Sequence, residues 1–278
     1  MIFLLLAVFS SSMVAIMMRV SSDKISANLS MLATNYLICS LLSMAYAGFD
    51  VVTPTVPGFS VTLWLGLVSG VLYLAGLVAF QTNTRKYGIV LSSVFMKLGL
   101  LVPIVMSVLF FREVPSLSQI AGFGMAVFAI VLINWKKEDS GKHFGIGLII
   151  MLLLSGGADA MAKIFETFGP ESLSQQYLFY TFATAFVLCL ILVVQNKEKP
   201  GLPEFLYGTL IGIPNFFSAK FLLGALGQLP AVVVYPTFSV GTLLIVTLSG
   251  VIVVRERLSK LQWFALAAII AALTLLNI

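Results

Sequence analysis

The chain has 278 residues, of which 60% are hydrophobic and only 10% charged, and its mean hydropathy is +1.07. Soluble domains are about half apolar and a quarter charged, so this composition excludes an ordinary soluble protein and predicts one that lies in a bilayer. The net charge of +5 does not indicate nucleic-acid binding, because the basic residues are spread singly or in pairs over many loops.

Apolar stretches follow one another along the whole chain, and only short polar segments separate them. A helix of about 20 apolar residues crosses the roughly 30 Å hydrocarbon core of a membrane. The first stretch carries no positive charge before Arg19, so we expect it to remain as a span rather than to be cleaved as a signal peptide. We predict an all-α integral membrane protein with ten transmembrane helices, near residues 2–20, 28–48, 61–82, 89–111, 117–135, 145–166, 173–194, 204–224, 231–254 and 259–277.

An internal repeat relates the two halves of the chain. At one constant shift, residues 112–135 align with residues 255–278, and the same shift relates earlier residues of both halves. Because each half holds five predicted spans, the second half must enter the membrane from the opposite side. The sequence predicts two inverted five-helix repeats, residues 1–137 and 145–278, an architecture typical of secondary transporters. The matched pairs are Arg112 with Arg255, Glu113 with Glu256, Ser116 with Ser259, Gln119 with Gln262, Asn134 with Asn277, Ser12 with Ser155, Ala15 with Ala158 and Phe95 with Phe238.

The repeated Ser-x-x-Gln pattern has a structural interpretation. Ser116 with Gln119 fits a capping box at the start of span five, and Ser259 with Gln262 fits one at the start of span ten. In such a box each side chain satisfies a backbone N–H that has no partner inside the helix. We therefore predict that these residues fix helix ends and do not contact a substrate.

Lysine and arginine concentrate in the loops that follow odd-numbered spans, whereas the loops after even-numbered spans hold little beyond Arg112. Cytoplasmic loops carry the excess of these residues, so the bias predicts that both termini lie outside the cell. We expect the bacterial plasma membrane as the location. The basic residues after odd-numbered spans are Arg19, Lys24, Arg85, Lys86, Lys136, Lys137, Lys142, Lys197, Lys199, Arg255, Arg257 and Lys260.

The segments LFFREVPSLSQIAGFGMAVFAIVLI and VIVVRERLSKLQWFALAAIIAALTLL each place an Arg-Glu turn between the fourth and fifth helices of one half. Two five-helix halves of this kind resemble the drug/metabolite transporter superfamily, specifically its ten-helix EamA-like branch. The resemblance covers essentially the whole chain and implies export or exchange of small metabolites such as amino acids, nucleosides or sugar derivatives. It also implies a substrate path lined by helices one to four and six to nine. Many EamA-like proteins are described with both termini cytoplasmic, which is opposite to the charge bias of this sequence.

Enzyme signatures are absent from the sequence. The single histidine, His143, lies in a polar loop and cannot supply a two-histidine metal motif. Cys39 and Cys189 fall inside predicted spans and are expected to pack as small apolar side chains. The chain has no phosphate-binding loop that ends in Gly-Lys-Ser/Thr, so transport would be secondary and not driven by nucleotide hydrolysis. We predict no enzyme activity, no cofactor and no metal.

Lys97 is the most informative polar residue, because it lies inside predicted span four, about 12 Å along a helix that rises 1.5 Å per residue. An ionisable group in hydrocarbon costs several kcal/mol unless it faces protein or a wet cavity. A lysine stem reaches only about 6 Å, so extension toward the membrane surface barely relieves that cost. We therefore predict that Lys97 faces a central cavity between the repeats and attracts a negatively charged substrate.

Span eight offers further polar groups in the segment GIPNFFSAKFLL. Pro214 removes a helical hydrogen bond, which membrane helices tolerate where neighbours or cavity water satisfy the freed carbonyl. Asn215 and Lys220 are predicted substrate contacts, although Lys220 lies near the span end and equally fits a lysine that extends to the surface. Pro103 and Pro236 are predicted to interrupt spans four and nine, with a packing kink as the alternative.

Asp159 and Lys163 lie four residues apart in span six, so they are expected to share one helix face and to neutralise each other as a buried pair. The functional alternative is proton coupling. Asp159 is the only acidic residue well inside a predicted span, and desolvation disfavours the charged form of a carboxylate. If transport is proton-coupled, Asp159 with Lys163 is the candidate coupling pair.

Other polar side chains in the spans are expected to form interhelical hydrogen bonds, and one or two of them to face the pocket. They are Tyr73, Gln176, Tyr177, Tyr180 and Asn35, of which Tyr73, Gln176 and Tyr180 complete the predicted substrate site.

The sequence thus predicts a secondary transporter, monomeric or homodimeric, that moves a small organic metabolite with a carboxylate or phosphate by alternating access. The first alternative is an exporter of amino acids or other zwitterionic or neutral metabolites, with Asp159 and a lysine at opposite ends of the substrate. An alternative from another class is a lipid-handling membrane scaffold or subunit without solute transport.

Overall fold

The computed structural model describes residues 1–21, 24–87, 89–133, 145–252 and 260–276. These residues form eleven α-helices and one short 3₁₀ helix, and they contain no strand. The all-α fold expected from the composition is therefore confirmed for the described part of the chain. In the first half the helices are α1 (Ile2–Ser21), α2 (Asn28–Tyr46), α3 (Phe59–Tyr87), α4 (Ile89–Leu98), α5 (Leu101–Phe110) and α6 (Leu117–Ile133). In the second half they are α7 (Ile146–Phe168), the 3₁₀ helix (Glu171–Leu173), α8 (Ser174–Gln195), α9 (Leu202–Leu226), α10 (Ala231–Ile252) and α11 (Lys260–Leu276).

Seven of the described helices are long and apolar enough to cross a membrane, namely α1, α2, α3, α7, α8, α9 and α10. Large apolar side chains on several of these helices are exposed, although water would disfavour that exposure. Such a surface is stable against lipid tails, so it supports the prediction of an integral membrane protein. Examples of exposed apolar side chains are Leu5, Trp64, Val187, Val194 and Leu210.

Predicted span four is not one helix, because α4 ends at Leu98 and α5 begins at Leu101. At the break the backbone N–H groups of Gly99, Leu100 and Val102 donate to carbonyls three residues earlier. Pro103 is the third residue of α5 and has no N–H to donate to the Gly99 carbonyl four residues earlier, which instead accepts the N–H of Val102 at 2.9 Å. The break therefore lies where the predicted interruption of span four by Pro103 is expected. The helix changes to a tighter turn one residue after Leu98, at a glycine.

The other two prolines do not divide their helices. Pro214 lies inside α9, which runs from Leu202 to Leu226, and Pro236 lies inside α10, which runs from Ala231 to Ile252. The expected interruption of span nine is therefore wrong at the level of helix continuity. A proline removes only one backbone donor, and a membrane helix continues where the freed carbonyl is satisfied.

The chain divides into two compact units, and each takes helices from both predicted repeats. The first unit comprises Met1–Leu74 and Met161–Gly227, and within it α1 packs on α9 while α2 packs on both α8 and α9. The second unit comprises Ala75–Ala160 and Gln228–Ile278, and within it α6 packs on α11 while α10 contacts α5, α6 and α11.

Glycines allow helices to approach closely in the first unit. A Cβ added to Gly66 of α3 would lie 2.6 Å from Tyr180 Cβ of α8. A Cβ added to Gly208 of α9 would lie 2.6 Å from Thr34 Cβ of α2. Each glycine is followed four residues later by another, Gly70 or Gly212, that meets the same partner helix equally closely. These two crossings are the Gly-x-x-x-Gly type of contact through which membrane helices pack.

Two glutamates cap helix N-termini of the first unit. Glu204, whose side chain is only 3% exposed, accepts hydrogen bonds from the backbone N–H groups of Ser26 at 2.9 Å and Ala27 at 3.2 Å, just before α2. The same carboxylate accepts the N–H of Gly201 at 3.0 Å, just before α9. Glu198 caps the first turn of α2 from the loop that precedes α9, through the N–H groups of Leu29 and Ser30. Together they join the α2 and α9 N-termini.

The Arg-Glu turn of the first half also ends in caps. Glu113 accepts a hydrogen bond from the backbone N–H of Ala231 at 2.7 Å, at the start of α10 in the second unit. The N–H of Ser116 donates to Gln119 Oε1 at 3.0 Å, and the N–H of Gln119 donates to Ser116 Oγ at 3.2 Å. The predicted capping box is thus confirmed here. In the second copy of the box, Ser259 lies outside the described residues, as does the predicted loop residue His143.

Both cysteines are buried and free, which confirms the packing role expected of them. Cys39 Sγ of α2 lies 3.3 Å from the carbonyl oxygen of Gly212, and Cys189 Sγ of α8 lies 3.4 Å from that of Leu29. Each thiol therefore fills a contact between two helices of the first unit.

Candidate functional site

Lys97 is the penultimate residue of α4 and comes directly before the break at Gly99. Its side chain is exposed. The last carbonyls of a helix carry partial negative charge, so a cation in the last turn is stabilised there. α4 is thus a short, mostly apolar helix whose single charged side chain lies in its last turn.

Asp159 of α7 is the acidic residue whose charge interacts with that of Lys97. Their helices approach through three small residues of the second unit. A Cβ added to Gly99 would lie 2.6 Å from Ser155 Oγ and 3.0 Å from the backbone nitrogen of Gly156. Asp159 follows Gly156 by three residues, about one helical turn, so the close contact brings the α4 end toward this carboxylate.

Tyr235 of α10 fixes the backbone beside that carboxylate. Its hydroxyl donates a hydrogen bond to the Asp159 carbonyl oxygen at 2.7 Å, and its side chain is only 2% exposed. Further along α10, the hydroxyls of Thr237 and Thr242 are buried and have no hydrogen-bond partner among the described residues. Tyr235 was not among the predicted site residues, because its only signal in the sequence is a polar ring in a mostly apolar segment.

Lys163 forms an ion pair with Glu166, which was not predicted; the predicted partner of Lys163 was Asp159. Its Nζ lies 2.7 Å from Glu166 Oε2, three residues along the same helix. Both residues belong to the first unit. Asp159, which the sequence analysis paired with Lys163, has Lys97 as the partner that the electrostatics identify. The i to i+4 spacing on α7 was therefore an incomplete guide to the charge contacts.

Lys220 of α9 lies against aromatic rings. Its Nζ is 3.3 Å from the ring centre of Tyr46 and 5.9 Å from that of Phe216. A cation over the face of an aromatic ring is attracted by the negative face of the ring. Tyr46 is the last residue of α2 and is half exposed, so this ammonium lies near a helix end, as expected of a lysine that extends toward the membrane surface.

Asn215 of α9 donates its amide to Asn35 Oδ1 of α2 at 3.1 Å. Tyr177 donates its hydroxyl to Ser69 Oγ of α3 at 3.2 Å. These bonds confirm the interhelical role expected of Asn35 and Tyr177. They also show that Asn215 already has one polar partner in the first unit.

The remaining predicted contacts lie at the start and middle of α8 and on α3. Gln176 donates its amide to the Asp50 carbonyl oxygen at 3.0 Å, and Tyr180 donates its hydroxyl to the Val51 carbonyl oxygen at 2.7 Å. These two side chains thus hold the loop that follows α2. Tyr73 of α3 packs edge to face on Phe182, with ring centres 6.4 Å apart.

Of the predicted site residues, Lys97 and Asp159 belong to the second unit. The others, Lys220, Asn215, Tyr180, Tyr73, Gln176 and Lys163, belong to the first unit.

The architecture and the exposed apolar helices define a multi-span integral membrane protein. Residues 1–135 match the model of the EamA-like transporter family, which belongs to the drug/metabolite transporter superfamily. The resemblance inferred from the repeated Arg-Glu turn is thereby confirmed. Members of this family are transporters, which supports an assignment of the chain to transport across a membrane.

Two known proteins resemble the chain over nearly its whole length. An uncharacterized protein of Haemophilus influenzae is 24% identical over 284 residues, which covers 96% of this chain and 95% of the relative. A protein with a crystal structure is 14% identical and matches with a TM-score of 0.72, over 99% of this chain and 94% of that chain. At that identity the second likeness concerns the fold alone.

Proposed function

We propose that the protein is a secondary transporter built of two inverted five-helix repeats, which moves a small organic metabolite bearing a carboxylate or phosphate by alternating access. The observation that carries the proposal is Lys97, a cation at the end of a half-helix, beside a break in the span. Broken helices at depth are typical of transporter binding sites, because their ends offer charge and free backbone groups to a substrate.

The packing of the first unit supports the inverted architecture. Gly66 and Gly70 of the third helix in the first half pack on the second helix of the other half, α8. Gly208 and Gly212 make the reciprocal contact, between the third helix of the second half and α2. A two-fold axis that exchanges the halves produces such a reciprocal pattern. The proposal counts α4 and α5 as one span and each of the other nine α-helices as one span.

Substitution of Lys97 tests the proposal. Lys97→Met keeps the length and apolar stem of the side chain and removes the charge, so we expect it to abolish solute uptake into proteoliposomes while the protein still folds. Lys199→Met is the matched control, because Lys199 is an exposed lysine in the loop between α8 and α9. The substrate itself is found beforehand by a thermal-shift screen of the wild type against metabolites, since a ligand of the folded state raises its apparent stability. Unchanged uptake by Lys97→Met would remove this residue from the site.

A zwitterionic substrate such as an amino acid is the second candidate, and the interaction of Asp159 with Lys97 favours it. Two opposite charges near one helix break match the carboxylate and the ammonium of such a molecule. Competition of amino acids against organic anions in the same uptake assay separates the two substrate classes.

We further propose that the protein lies in the bacterial plasma membrane with both termini outside. Protons are the proposed coupling ion, with Asp159 as the residue that binds them, and the protein is a monomer or a homodimer. The charge bias of the loops supports the orientation. Fusion of alkaline phosphatase to the C-terminus tests it, because that enzyme is active only outside the cytoplasm. If the phosphatase fusion is inactive and a reporter that fluoresces only in the cytoplasm is active at the same position, the C-terminus is cytoplasmic and the proposed orientation is wrong.

A further inference from the structure

The charges of Lys97 and Asp159 have no counterpart in the other repeat. At the shift that aligns Ser12 with Ser155 and Phe95 with Phe238, Lys97 aligns with Val240 and Asp159 with Ile16. At the position equivalent to each charge, the other repeat therefore has an apolar side chain. Both charged residues lie in the second unit, and their charges interact.

The helix break shows the same asymmetry. The first repeat interrupts its fourth span at Gly99, next to Lys97. The equivalent residue of the second repeat is Thr242, and there α10 continues unbroken. The lysine and the break thus lie in the first repeat and the aspartate in the second, all three lie in the second unit, and none of them recurs at the matching position of the other repeat.

The break lies against the segment of α7 that leads to Asp159. A Cβ on Gly156 would collide with the Gly99 carbonyl oxygen and lie 2.6 Å from Val102 Cγ2. Ser155 Oγ reaches the Met96 carbonyl oxygen at 3.5 Å, at the limit of a hydrogen bond. The Tyr235 hydroxyl donates a hydrogen bond to the Asp159 carbonyl oxygen. The backbone of both charged residues is therefore positioned by contacts that do not involve the charges themselves.

The charges of Lys97 and Asp159 act on each other without a direct hydrogen bond or ion pair among the described residues. In the described part of the chain, Lys97 makes no ion pair in contact with a carboxylate. An isolated charge in a medium of low dielectric constant is unfavourable, and an opposite charge nearby lowers that cost even without contact. A pair in direct contact would have to be broken before a substrate could bind, whereas a separated pair leaves donor positions of the ammonium open.

Taking the proposed function as given, we propose that Asp159 is the resident counter-ion of Lys97 in the substrate-free protein, and that the anionic group of the substrate takes its place beside the ammonium. Asp159 is then a specificity-determining residue. It offsets the positive charge of Lys97 between transport cycles, and it excludes anions that interact more weakly with Lys97 than the carboxylate does.

The first arm of the test is a double-mutant cycle on melting temperature in detergent, which needs no ligand. The variants are Lys97→Met, Asp159→Asn and the double variant. A second cycle with Lys163→Met and Glu166→Gln is the positive control, because these two side chains form a direct ion pair. We expect Lys97→Met to lower the melting temperature because it leaves a carboxylate without a counter-ion, and the double variant to recover about half of that loss or more. Additive shifts would overturn the proposal.

The second arm uses three named probes: succinate, inorganic phosphate and alanine. The concentration that gives half-maximal thermal stabilisation is measured for the wild type and for Asp159→Asn. With its competitor removed, Lys97 should bind succinate or phosphate at about five- to tenfold lower concentration, which corresponds to about 1 to 1.4 kcal/mol. An unchanged anion concentration overturns the proposal. The proposal is also overturned if Asp159→Asn loses only the stabilisation by alanine, because Asp159 would then bind the ammonium of a zwitterion.

These results are separable from those on transport. A protein that shows the charge coupling and the tighter anion binding but moves no solute in proteoliposomes keeps Asp159 as the counter-ion and overturns the proposed function. Uptake that depends on Lys97 but not on Asp159, with additive melting shifts, keeps the proposed function and overturns the counter-ion.

Discussion

The carboxylate of Glu204 should be one of the most sensitive positions in the first unit. It accepts three backbone N–H groups, from Ser26, Ala27 and Gly201, and the hydroxyl of Ser26 at 3.3 Å. Glu204→Ala leaves these donors at two helix N-termini without their acceptor. No other carboxylate oxygen is recorded on those three N–H groups among the described residues.

The size of the effect follows from the number of bonds. A hydrogen bond to a charged group contributes about 1.5 to 3 kcal/mol when buried, and water replaces part of that near a membrane surface. With roughly 1 kcal/mol for each of the three backbone donors, the variant loses about 3 kcal/mol. In a protein of this size that corresponds to a fall in melting temperature of about 5 to 10 °C.

Thermal unfolding in detergent, followed by tryptophan fluorescence, measures this loss. Glu204→Gln keeps an oxygen that can accept two of the N–H groups, so its melting temperature should lie between those of the wild type and Glu204→Ala. Glu171→Ala is the control, since Glu171 is exposed in the 3₁₀ helix that precedes α8. If Glu204→Ala melts within about 2 °C of the wild type, the cap does not hold α2 and α9 together and the reasoning fails.

Three further changes test the packing and the site. Gly212→Leu should lower the melting temperature through an overpacking cost of about 1 to 3 kcal/mol, whereas Gly124→Leu, with no atom within 4 Å of its added Cβ, should not. Tyr235→Phe removes the hydroxyl that holds the Asp159 backbone, so we expect a loss of about 1 kcal/mol and slower uptake in proteoliposomes. Cys39 and Cys189 should resist a maleimide in the folded protein and react only after SDS denaturation, as followed by mass; labelling of the folded protein would contradict their burial.

Local sequence signals predicted some of this structure well. A charge inside an apolar run singled out Lys97, although its place at the end of a helix was not predicted. The capping box at Ser116 was readable because both of its partners lie within three residues. The all-helical membrane fold was readable from composition and span length, since both depend on the bilayer and not on tertiary contacts.

Contacts between distant segments were the part that the sequence could not supply. Spacing alone paired Asp159 with Lys163, but the charge of Asp159 also acts on Lys97, more than 50 residues away along the chain. The role of Glu204 depends on α2 beginning beside α9, and no local pattern around Glu204 indicates it. Pro103 predicted an interruption of span four, but the close packing of Gly99 against α7 at the break could not be predicted from the sequence.

The unequal repeats suggest why the second unit holds the charged pair. Two copies of one five-helix sequence begin with equal helices, and a charge placed in either copy at depth is unfavourable unless an opposite charge joins it. In this chain the lysine lies in one copy and the aspartate in the other, so neither repeat carries both. Because the units take helices from both repeats, the two substitutions meet in a single unit. The proposed inverted duplication thus allows a polar site to form while most matching positions remain apolar.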